Sequence, residues 1–390
     1  MKQTNGIVFY NVNIHCETEV INGYIRTNNK TIMEIGQGDP HLGEGEYAID
    51  GNGHHIIPGF IDTHIHGAAG ADVMDGEEAA LRTIAESLPA EGTTSFLATT
   101  ITQSKEAIDQ ALNTVANYPI KNQGAELLGI HLEGPFINIE KAGAQPSEYV
   151  IPPSIEQFKH WQNVSNGRIR VITLAPEMDK QEDFISFLVK SGVIVSAGHT
   201  NASMAEIKHS VKKGVSQLTH LCNAMTAIHH RDVGAVGAGL LLEELVCELI
   251  VDGLHVSPDM VNLIYQQVGP DRLILITDSV EAKGMPPGTY SLGGQIVTTD
   301  GEKALLSNGT LAGSVLKMID AAKNMQQMTT ATIDDVAKMA AINPAKQLGL
   351  FDHKGSISEG KDADFLLVDE HFNLIYTICR GSIAYKREEY

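Results

Sequence analysis

The segment 58-PGFIDTHIHG-67 contains the pattern that decides the fold of this chain. A short apolar run predicts a buried strand at Gly59–His64, and the run ends in two histidines separated by a single residue. Alternate side chains of a strand point to the same side. We therefore expect His64 and His66 to lie together at the carboxyl end of a strand, where two imidazoles can bind one metal ion.

Strand-like runs alternate with amphipathic helical stretches through the middle of the chain. Eight such strands within about 220 residues predict a (β/α)8 TIM barrel. An open, doubly wound sheet is the alternative, but it usually carries a glycine-rich phosphate loop after its first strand, and we find none. The predicted strands are Gly59–His64, Ser95–Thr99, Glu126–His131, Arg170–Leu174, Val193–Ala197, Gln217–His220, Cys247–Val251 and Leu273–Thr277. The predicted helices are Glu77–Glu91, Lys105–Tyr118, Lys180–Ser191, Ser203–Lys213 and Pro258–Gln267.

The two ends of the chain are rich in short strands separated by Gly, Asn and Asp turns. Because chain termini are often close together, we expect both ends to form one small β-sandwich domain. The expected boundaries are 1–57 and 355–390 for the two parts of the sandwich and 58–354 for the barrel. Expected end strands are Ile7–Ile14, Gly23–Thr27, Thr31–Ile35, Tyr47–Asp50, Phe365–Val368 and Leu374–Arg380.

The composition excludes several classes of function. The formal net charge is -20, which argues against a nucleic-acid partner or an anionic membrane surface, since both require a basic face. No apolar run approaches the roughly 20 residues that span a bilayer. The four cysteines contain no CxxC pair and no signal peptide precedes them, so we expect reduced thiols and a cytoplasmic protein.

Residues able to bind metal follow the predicted strands throughout the barrel region. The active sites of TIM barrels lie at the carboxyl ends of the strands, so side chains two hundred positions apart are expected to converge there. A lone histidine after a strand is usually structural, but a joint set of imidazoles and carboxylates favours a site for zinc or ferrous iron. The set is His64, His66, Glu133, His199, His220, His255 and Asp278.

Several motifs resemble the N-acetylglucosamine-6-phosphate deacetylases of the amidohydrolase superfamily. They are PGFIDTHIHG at 58–67, HLEGPF at 131–136, AGHTNA at 197–202, THLCNAM at 219–225, DGLHVSP at 252–258 and TDS at 277–279, with GTLAGSVLKM at 309–318, NPAKQLG at 343–349 and GSISEGKDADFLLVD at 355–369. The first occurs across many amidohydrolases, whereas HLEGPF followed by HLCNAM is far more specific. The resemblance implies a barrel with a β-sandwich made from both chain ends, and a homodimer.

The resemblance also implies the roles of the metal-binding residues. Glu133, His199 and His220 match the family's metal ligands, and Asp278 matches its catalytic aspartate, which is also expected to touch a metal. Some members lack the first-strand histidines and hold one ion. This chain keeps both, so it is similar to the two-metal subgroup, with His64 and His66 as further ligands. The expected cofactor is therefore one or two divalent ions per subunit, zinc or iron.

A sugar phosphate is the substrate that the resemblance implies, and a further set of residues matches its binding positions. Arg231 offers a planar fork for the phosphate, with His230 or His255 assisting. Gln145 lies where some members have a histidine, and it is expected to hydrogen-bond a sugar hydroxyl without carrying charge. The full set of expected substrate-binding residues is Gln145, Asn223, Ala224, His230, Arg231 and His255.

The expected reaction is hydrolysis of the N-acetyl group of N-acetylglucosamine 6-phosphate to glucosamine 6-phosphate and acetate. A metal ion lowers the pKa of its bound water to roughly 7, and Asp278 acts as general base and then general acid. Three alternatives stay open here. They are a dihydroorotase-like amide hydrolase, a deacetylase of N-acetylgalactosamine 6-phosphate, and a non-catalytic scaffold on the same barrel.

Overall fold

The computed structural model describes residues 6–119 and 124–388. This part of the chain contains two eight-stranded sheets, one three-stranded sheet and one two-stranded sheet. The largest apolar core lies in the barrel, and the sheet formed by the chain ends has a core of its own. In chain order the strands are β1 (Ile7–His15), β2 (Val20–Asn28), β3 (Thr31–Gln37), β4 (Tyr47–Asp50), β5 (His55–Pro58), β6 (Phe60–Ile65), β7 (Gly67–Ala68), β8 (Ala71–Asp72), β9 (Thr93–Thr100), β10 (Glu126–Glu133), β11 (Ile169–Leu174), β12 (Ile194–Ala197), β13 (Val215–Leu218), β14 (Val246–Ile250), β15 (Leu273–Ile276), β16 (Gly288–Leu292), β17 (Gln295–Thr299), β18 (Ala304–Leu306), β19 (Phe365–Val368), β20 (Leu374–Cys379) and β21 (Ser382–Lys386).

The predicted TIM barrel is confirmed by a parallel eight-stranded sheet in the order β15-β14-β13-β12-β11-β10-β9-β6. Hydrogen bonds join its first and last strands. The backbone N–H of Asp278 donates to the carbonyl oxygen of His64 at 2.8 Å, and the N–H of His66 donates to that of Ser279 at 2.9 Å. This closure places His64, near the end of β6, and His66, just after it, beside Asp278, which follows β15.

The second sheet is formed by both ends of the chain, as predicted. Its order is β21-β20-β19-β5-β1-β2-β3, with β4 paired to β1. Strand β5, which was not among the predicted end strands, joins the two ends because it pairs with β1 on one side and with β19 on the other. Phe9 packs edge-on against Phe365 and Tyr376, so aromatic side chains from both ends form the centre of this core.

The helices lie mainly between the barrel strands, and five of the ten α-helices in the described residues begin at a capping side chain. Helix α5 has a full capping box between Ser203 and Glu206. Helix α4 begins four residues later than predicted, because Asp179 accepts the backbone N–H groups of Phe184 and Ile185 and so fixes the first turn there. The helices are α1 (Glu78–Ser87), α2 (Lys105–Asn117), α3 (Ile155–Val164), α4 (Phe184–Lys190), α5 (Met204–Lys213), α6 (Gly234–Leu241), α7 (Pro258–Val268), α8 (Met318–Met328), α9 (Ile333–Ala337) and α10 (Asn343–Gln347).

An antiparallel sheet of β16, β17 and β18 follows the last barrel strand, and no prediction covered it. Its first hairpin turns at Gly293 and Gly294, which both have positive φ, as two-residue hairpin turns require. The side chain of Gln295 donates to the carbonyl oxygen of Ala144 at 2.6 Å, and that of Gln103 donates to Gly293 at 3.0 Å. These contacts hold the insertion against the mouth of the barrel.

The helices and the cysteines can be compared with what the composition predicted about membrane spans and thiols. None of the helices in residues 6–119 and 124–388 combines the length and the apolar character needed to cross a bilayer. Cys16, Cys222, Cys247 and Cys379 are all free thiols.

Candidate metal centre and active site

Three of the predicted site residues follow barrel strands with the backbone in the left-handed region. The φ angles are 46° at His199, 33° at His220 and 48° at Asp278. This region is strained for residues with a side chain, and such strain is concentrated at functional sites. The turn at His220 also explains why β13 ends at Leu218, before the end predicted from the sequence.

Glu133, His199 and His220 form a tight cluster at the mouth of the barrel. The Nε2 atoms of both histidines lie 3.1 Å from Oε1 of Glu133 and 3.1 Å from each other. All three side chains are buried. Two imidazoles and one carboxylate facing a shared point are a ligand set suited to a divalent ion.

The hydrogen bonds of His199 fix which ring nitrogen faces this cluster. Its Nδ1 lies 2.9 Å from the carbonyl oxygen of Lys141, which can only accept, so Nδ1 carries the proton. When the ring is neutral, Nε2 holds an electron pair directed at the carboxylate of Glu133. A cation between these two groups, which lie 3.1 Å apart, would bind both, so the arrangement fits a bound metal.

His64, His66 and Asp278 form a second cluster beside the first. Oδ1 of Asp278 lies 3.2 Å from Nε2 of His66 and 3.5 Å from Nε2 of His64. Glu133 lies between the clusters, with Oε1 3.4 Å from Nε2 of His64 and Oε2 3.3 Å from Nε2 of His66. The buried Nε2 of His64 has no hydrogen-bond partner in the described residues, which again leaves an electron pair for a cation.

The charges of the protein itself keep Asp278 ionised. Burial favours the neutral acid, but His64 and His66 outweigh burial and lower the pKa of Asp278 to about 2. Burial likewise opposes the charge on His66, but the carboxylates of Asp278 and Glu133 raise its pKa to about 9. Asp278 is thus a carboxylate at neutral pH, the form that a general base requires.

A cavity of about 520 Å³ opens directly above the two clusters. This volume suits a small sugar derivative. One wall is apolar, with Ile101, Leu292 and Leu311, and Leu292 comes from the β16–β18 insertion. The metal-binding residues that also line the cavity are His66, Glu133, His199, His220 and Asp278.

The structure brings four of the six predicted substrate-binding residues to this cavity, and it leaves two outside. Asn223, Ala224, Gln145 and His255 are part of the lining. His230 and Arg231 are exposed, and they do not line it in the described chain. There, the guanidinium of Arg231 donates to Nε2 of His230 at 2.7 Å.

Gln145 has partners other than the sugar hydroxyl that was expected. Its Nε2 donates to Oε2 of Glu133 at 2.7 Å, and its Oε1 accepts the backbone N–H of Thr102 at 2.7 Å. Both ends of the amide are therefore used inside the protein, and the side chain holds the carboxylate of Glu133 in place.

His255 is held by a neighbouring carboxylate. Oδ2 of Asp252 lies 2.6 Å from Nδ1 of His255. Burial disfavours the charged ring, but this contact outweighs burial and raises the pKa of His255. Since Asp252 occupies Nδ1, Nε2 is the nitrogen left to donate to a bound molecule.

Three residues of the site escaped the sequence analysis. Lys141 is the only Lys or Arg among the described residues that line the cavity. Because it is four positions from Gln145, which was expected to bind substrate, its position in the sequence indicated that it lies near the site. The Gly-Gly pair after Leu292 signalled the hairpin that brings this leucine over the site. Glu248, inside β14, carried no signal, because a carboxylate within an apolar strand gives no indication of its partner.

Comparisons with known proteins agree with this geometry. The profile of the amidohydrolase family matches residues 55–384. An N-acetylglucosamine-6-phosphate deacetylase of Bacillus subtilis strain 168 is 45% identical over 391 residues, and the alignment covers 98% of both chains. An N-acetylgalactosamine-6-phosphate deacetylase of Escherichia coli O157:H7 is 36% identical over 330 residues, covering 84% of this chain and 87% of that protein.

A solved structure extends the comparison to the fold. The crystal structure of N-acetylglucosamine-6-phosphate deacetylase from Pasteurella multocida matches with a TM-score of 0.91 at 32% identity, covering 98% of this chain and 100% of that chain. Imidazole and carboxylate side chains at the mouth of a TIM barrel fit the amidohydrolases, a class of hydrolases that generally depends on divalent metal ions. The chain belongs to the amidohydrolase family.

Proposed function

We propose that this chain removes the acetyl group from N-acetylglucosamine 6-phosphate and produces acetate and glucosamine 6-phosphate. The observation that carries the proposal is the position of Asp278 beside Glu133, His199 and His220 at the floor of a sugar-sized cavity. The relatives named for this activity, which match nearly the whole chain, support the same substrate.

Two divalent ions fit the proposed site. The first is assigned to Glu133, His199 and His220, and the second to His64, His66 and Asp278, with Glu133 between them; zinc and iron both suit these ligands. Bound at these positions, such ions supply Lewis acidity at the amide carbonyl and a more acidic water.

Asp278 moves the proton in this proposal. Its carboxylate takes a proton from the attacking water and later delivers it to the amine that leaves the sugar. The lowered pKa of Asp278 keeps it ionised at neutral pH. His255 lines the same cavity, and its Nε2 is proposed to donate to the acetyl carbonyl or to a sugar hydroxyl.

Phosphate recognition in an acidic protein requires a local cation. Lys141 is the lining residue that can provide one from the same chain. Arg231, which lies outside the cavity, is proposed to reach the phosphate of a neighbouring subunit in a homodimer. Asn223 and Ala224 add polar backbone groups to the same lining.

The proposal is tested by steady-state kinetics on phosphorylated and unphosphorylated N-acetylglucosamine. A charge-assisted hydrogen bond contributes roughly 1.5–3 kcal/mol, which is about a 10- to 150-fold change in affinity. Lys141→Met and Arg231→Ala should each raise KM for the sugar phosphate by about this factor, with little effect on the poorer turnover of the unphosphorylated sugar.

Dimers made of two different variant chains distinguish the role of Arg231 from that of Lys141. If Arg231 acts across the dimer, Arg231→Ala chains combined with Asp278→Asn chains should regain activity, because one site then has both residues intact. If Lys141→Met or Arg231→Ala lowers activity equally on the phosphorylated and the unphosphorylated sugar, that residue is structural. A wild-type enzyme with no preference for the phosphorylated sugar would refute the substrate assignment.

One relative suggests a second candidate substrate, N-acetylgalactosamine 6-phosphate. The deacetylase of N-acetylgalactosamine 6-phosphate differs from the proposed enzyme only in the orientation of one hydroxyl group of its substrate, and kcat/KM on both sugar phosphates decides between them. A dihydroorotase-like activity is disfavoured because Glu133 lies where such enzymes often use a modified lysine. A scaffold is disfavoured because all ligands and the aspartate are present.

The cellular setting is also proposed. The free thiols favour a reducing compartment, and a cytoplasmic location stays a prediction. The domain boundaries at 57 and 354 likewise stay predictions.

A further inference from the structure

Glu248 is a buried carboxylate inside the barrel, and it belongs to neither proposed set of metal ligands. It lies on β14 with no exposed surface. Its Oε2 lies 3.1 Å from Nδ1 of His64, and its Oε1 accepts the side-chain N–H of Gln217 at 2.7 Å. In the described chain, His64 is the only Lys, Arg or His within ion-pair distance of Glu248.

The contact with Glu248 decides which nitrogen of His64 faces the cavity. A carboxylate only accepts, so in the neutral ring of His64 the proton lies on Nδ1 and the electron pair on Nε2. This Nε2 is directed at Glu133 and Asp278, at 3.4 and 3.5 Å. A metal-binding histidine commonly donates its other N–H to a carboxylate in this way, which fixes the tautomer and the orientation of the ring.

A neighbouring histidine shows that the contact is selective. His131 also lies beside His64 and Glu248. Its Nδ1 donates to the carbonyl oxygen of Thr63 at 3.1 Å, and its Nε2 accepts from the hydroxyl of Thr173 at 2.7 Å. Both nitrogens of His131 are therefore occupied, and His64 is the ring that Glu248 can orient toward a cation.

The charges around His64 favour bound cations. Three buried carboxylates, Glu133, Glu248 and Asp278, converge on this ring, and none of them is paired with a Lys or Arg in the described residues. If the histidines are neutral ligands, these carboxylates carry a charge of -3, which one divalent ion reduces to -1 and a second changes to +1. A buried charge without compensation is strongly unfavourable, so one divalent ion does not neutralise the three carboxylates.

We infer that Glu248, held by Gln217, is a positioning residue that prepares His64 to bind the second metal ion. The inference rests on the proposed metal assignment and not on the identity of the sugar. It distinguishes two positions in one site: the ion at Glu133, His199 and His220 does not depend on Glu248, whereas the ion at His64 does.

The test is a zinc titration of metal-stripped protein against a competing chelator, with metal counted per chain. Loss of a residue that orients a ligand typically lowers metal affinity 10- to 100-fold. In Glu248→Gln we expect the second ion to bind 10- to 100-fold more weakly and the first ion to bind as in wild type. Glu248→Asp, which keeps the charge but withdraws it from His64, should show the same loss. Cobalt absorption spectra of both variants provide a second readout.

Two controls make the result specific. Asp179→Asn removes a buried carboxylate that caps α4 away from the site, and both ions should bind as in wild type. In a His64→Asn background, Glu248→Gln should produce no further loss, since the two residues act through one contact. Thermal unfolding of each variant establishes that it is folded. If Glu248→Gln does not fold, the zinc titration of Glu248→Asp tests the inference.

Each remaining outcome overturns the inference. Wild-type affinity for the second ion in Glu248→Asp would show that the contact is irrelevant. Equal weakening of both ions would show that Glu248 is merely structural. A wild-type protein that never binds more than one ion would also refute the two-ion assignment. None of these results bears on which sugar is hydrolysed, because no substrate is present.

Discussion

Asp278 is the side chain whose removal should affect turnover most. Asp278→Asn is nearly isosteric but cannot accept the proton of the attacking water. General acid–base groups contribute typically 10²–10⁴-fold, so kcat should fall by at least 10²-fold while the fold is kept. Because Asp278 belongs to the second cluster, metal content must be measured on the same sample. A variant that keeps its metal and more than about a tenth of wild-type kcat would exclude the proposed role.

Individual residues differ in how far the sequence could assign them. The two clusters could be predicted, because each member lies at or just after the carboxyl end of a barrel strand and the strand ends converge on one face. The partners of Gln145 and the orientation of Arg231 could not be predicted from the sequence, because they depend on which side chains the folded loops bring together. Gln145 meets Glu133, twelve positions away, and Glu248 meets His64 across the barrel.

The barrel strands were the most predictable elements. Strands covered on both faces read as short apolar runs, and those runs reappear as β6 and β9–β15 with shifts of one or two residues at most ends. The β16–β18 insertion was not predicted. Its strands have several exposed positions and little apolar alternation, and its place over the cavity comes from tertiary hydrogen bonds such as that of Gln295.

The closure between β6 and β15 gives a stability prediction. Asp62, fully buried on β6, accepts the backbone N–H of Thr277 at 3.3 Å and its hydroxyl at 2.6 Å, just beyond β15. Leaving buried donors unsatisfied costs about 1–3 kcal/mol. Asp62→Ala should therefore lower the free energy of unfolding in urea by roughly that amount.

Exposed Asp39 provides the matched control, since Asp39→Ala should unfold like the wild type. If Asp62→Ala is as stable as Asp39→Ala, the aspartate does not secure the closure of the barrel.

At the scale of the whole molecule, both ends of the chain meet in one sheet beside the barrel. A buried lysine contributes to this junction. Nζ of Lys354 lies 2.7 Å from Glu126 at the start of β10, and it also contacts Asp362 and Asp364, which precede β19. The strand-rich ends predicted a common sheet, but the pairing of β5 with β19 could not be predicted, because strand order depends on contacts between residues about 300 positions apart.

The charges of the site predict how stability depends on pH. The pKa of His66 is raised to about 9 from an ordinary 6.5, so its stabilising contribution is complete below about 6.5 and is lost as the pH rises through 9. The lowered pKa of Asp278 acts in the opposite direction, and its contribution is lost only as the pH falls from about 3.8 toward 2.

In protein treated with a chelator, the melting temperature should therefore fall between pH 6.5 and 9. His66→Gln should reduce this slope, and added zinc should also reduce it, because zinc binds the neutral imidazole. A slope that is unchanged in His66→Gln would show that another group causes it.

Metal-dependent deacetylation is tested most directly by measuring acetate release from N-acetylglucosamine 6-phosphate, with protein that is stripped of metal and then titrated with zinc or ferrous iron. We predict that release is negligible in the stripped protein, rises as ions bind at the two clusters, and remains near zero for Asp278→Asn at the same metal content. Full activity in the stripped protein, or a folded and metal-replete wild type that releases no acetate from this sugar phosphate, would contradict metal-dependent deacetylation.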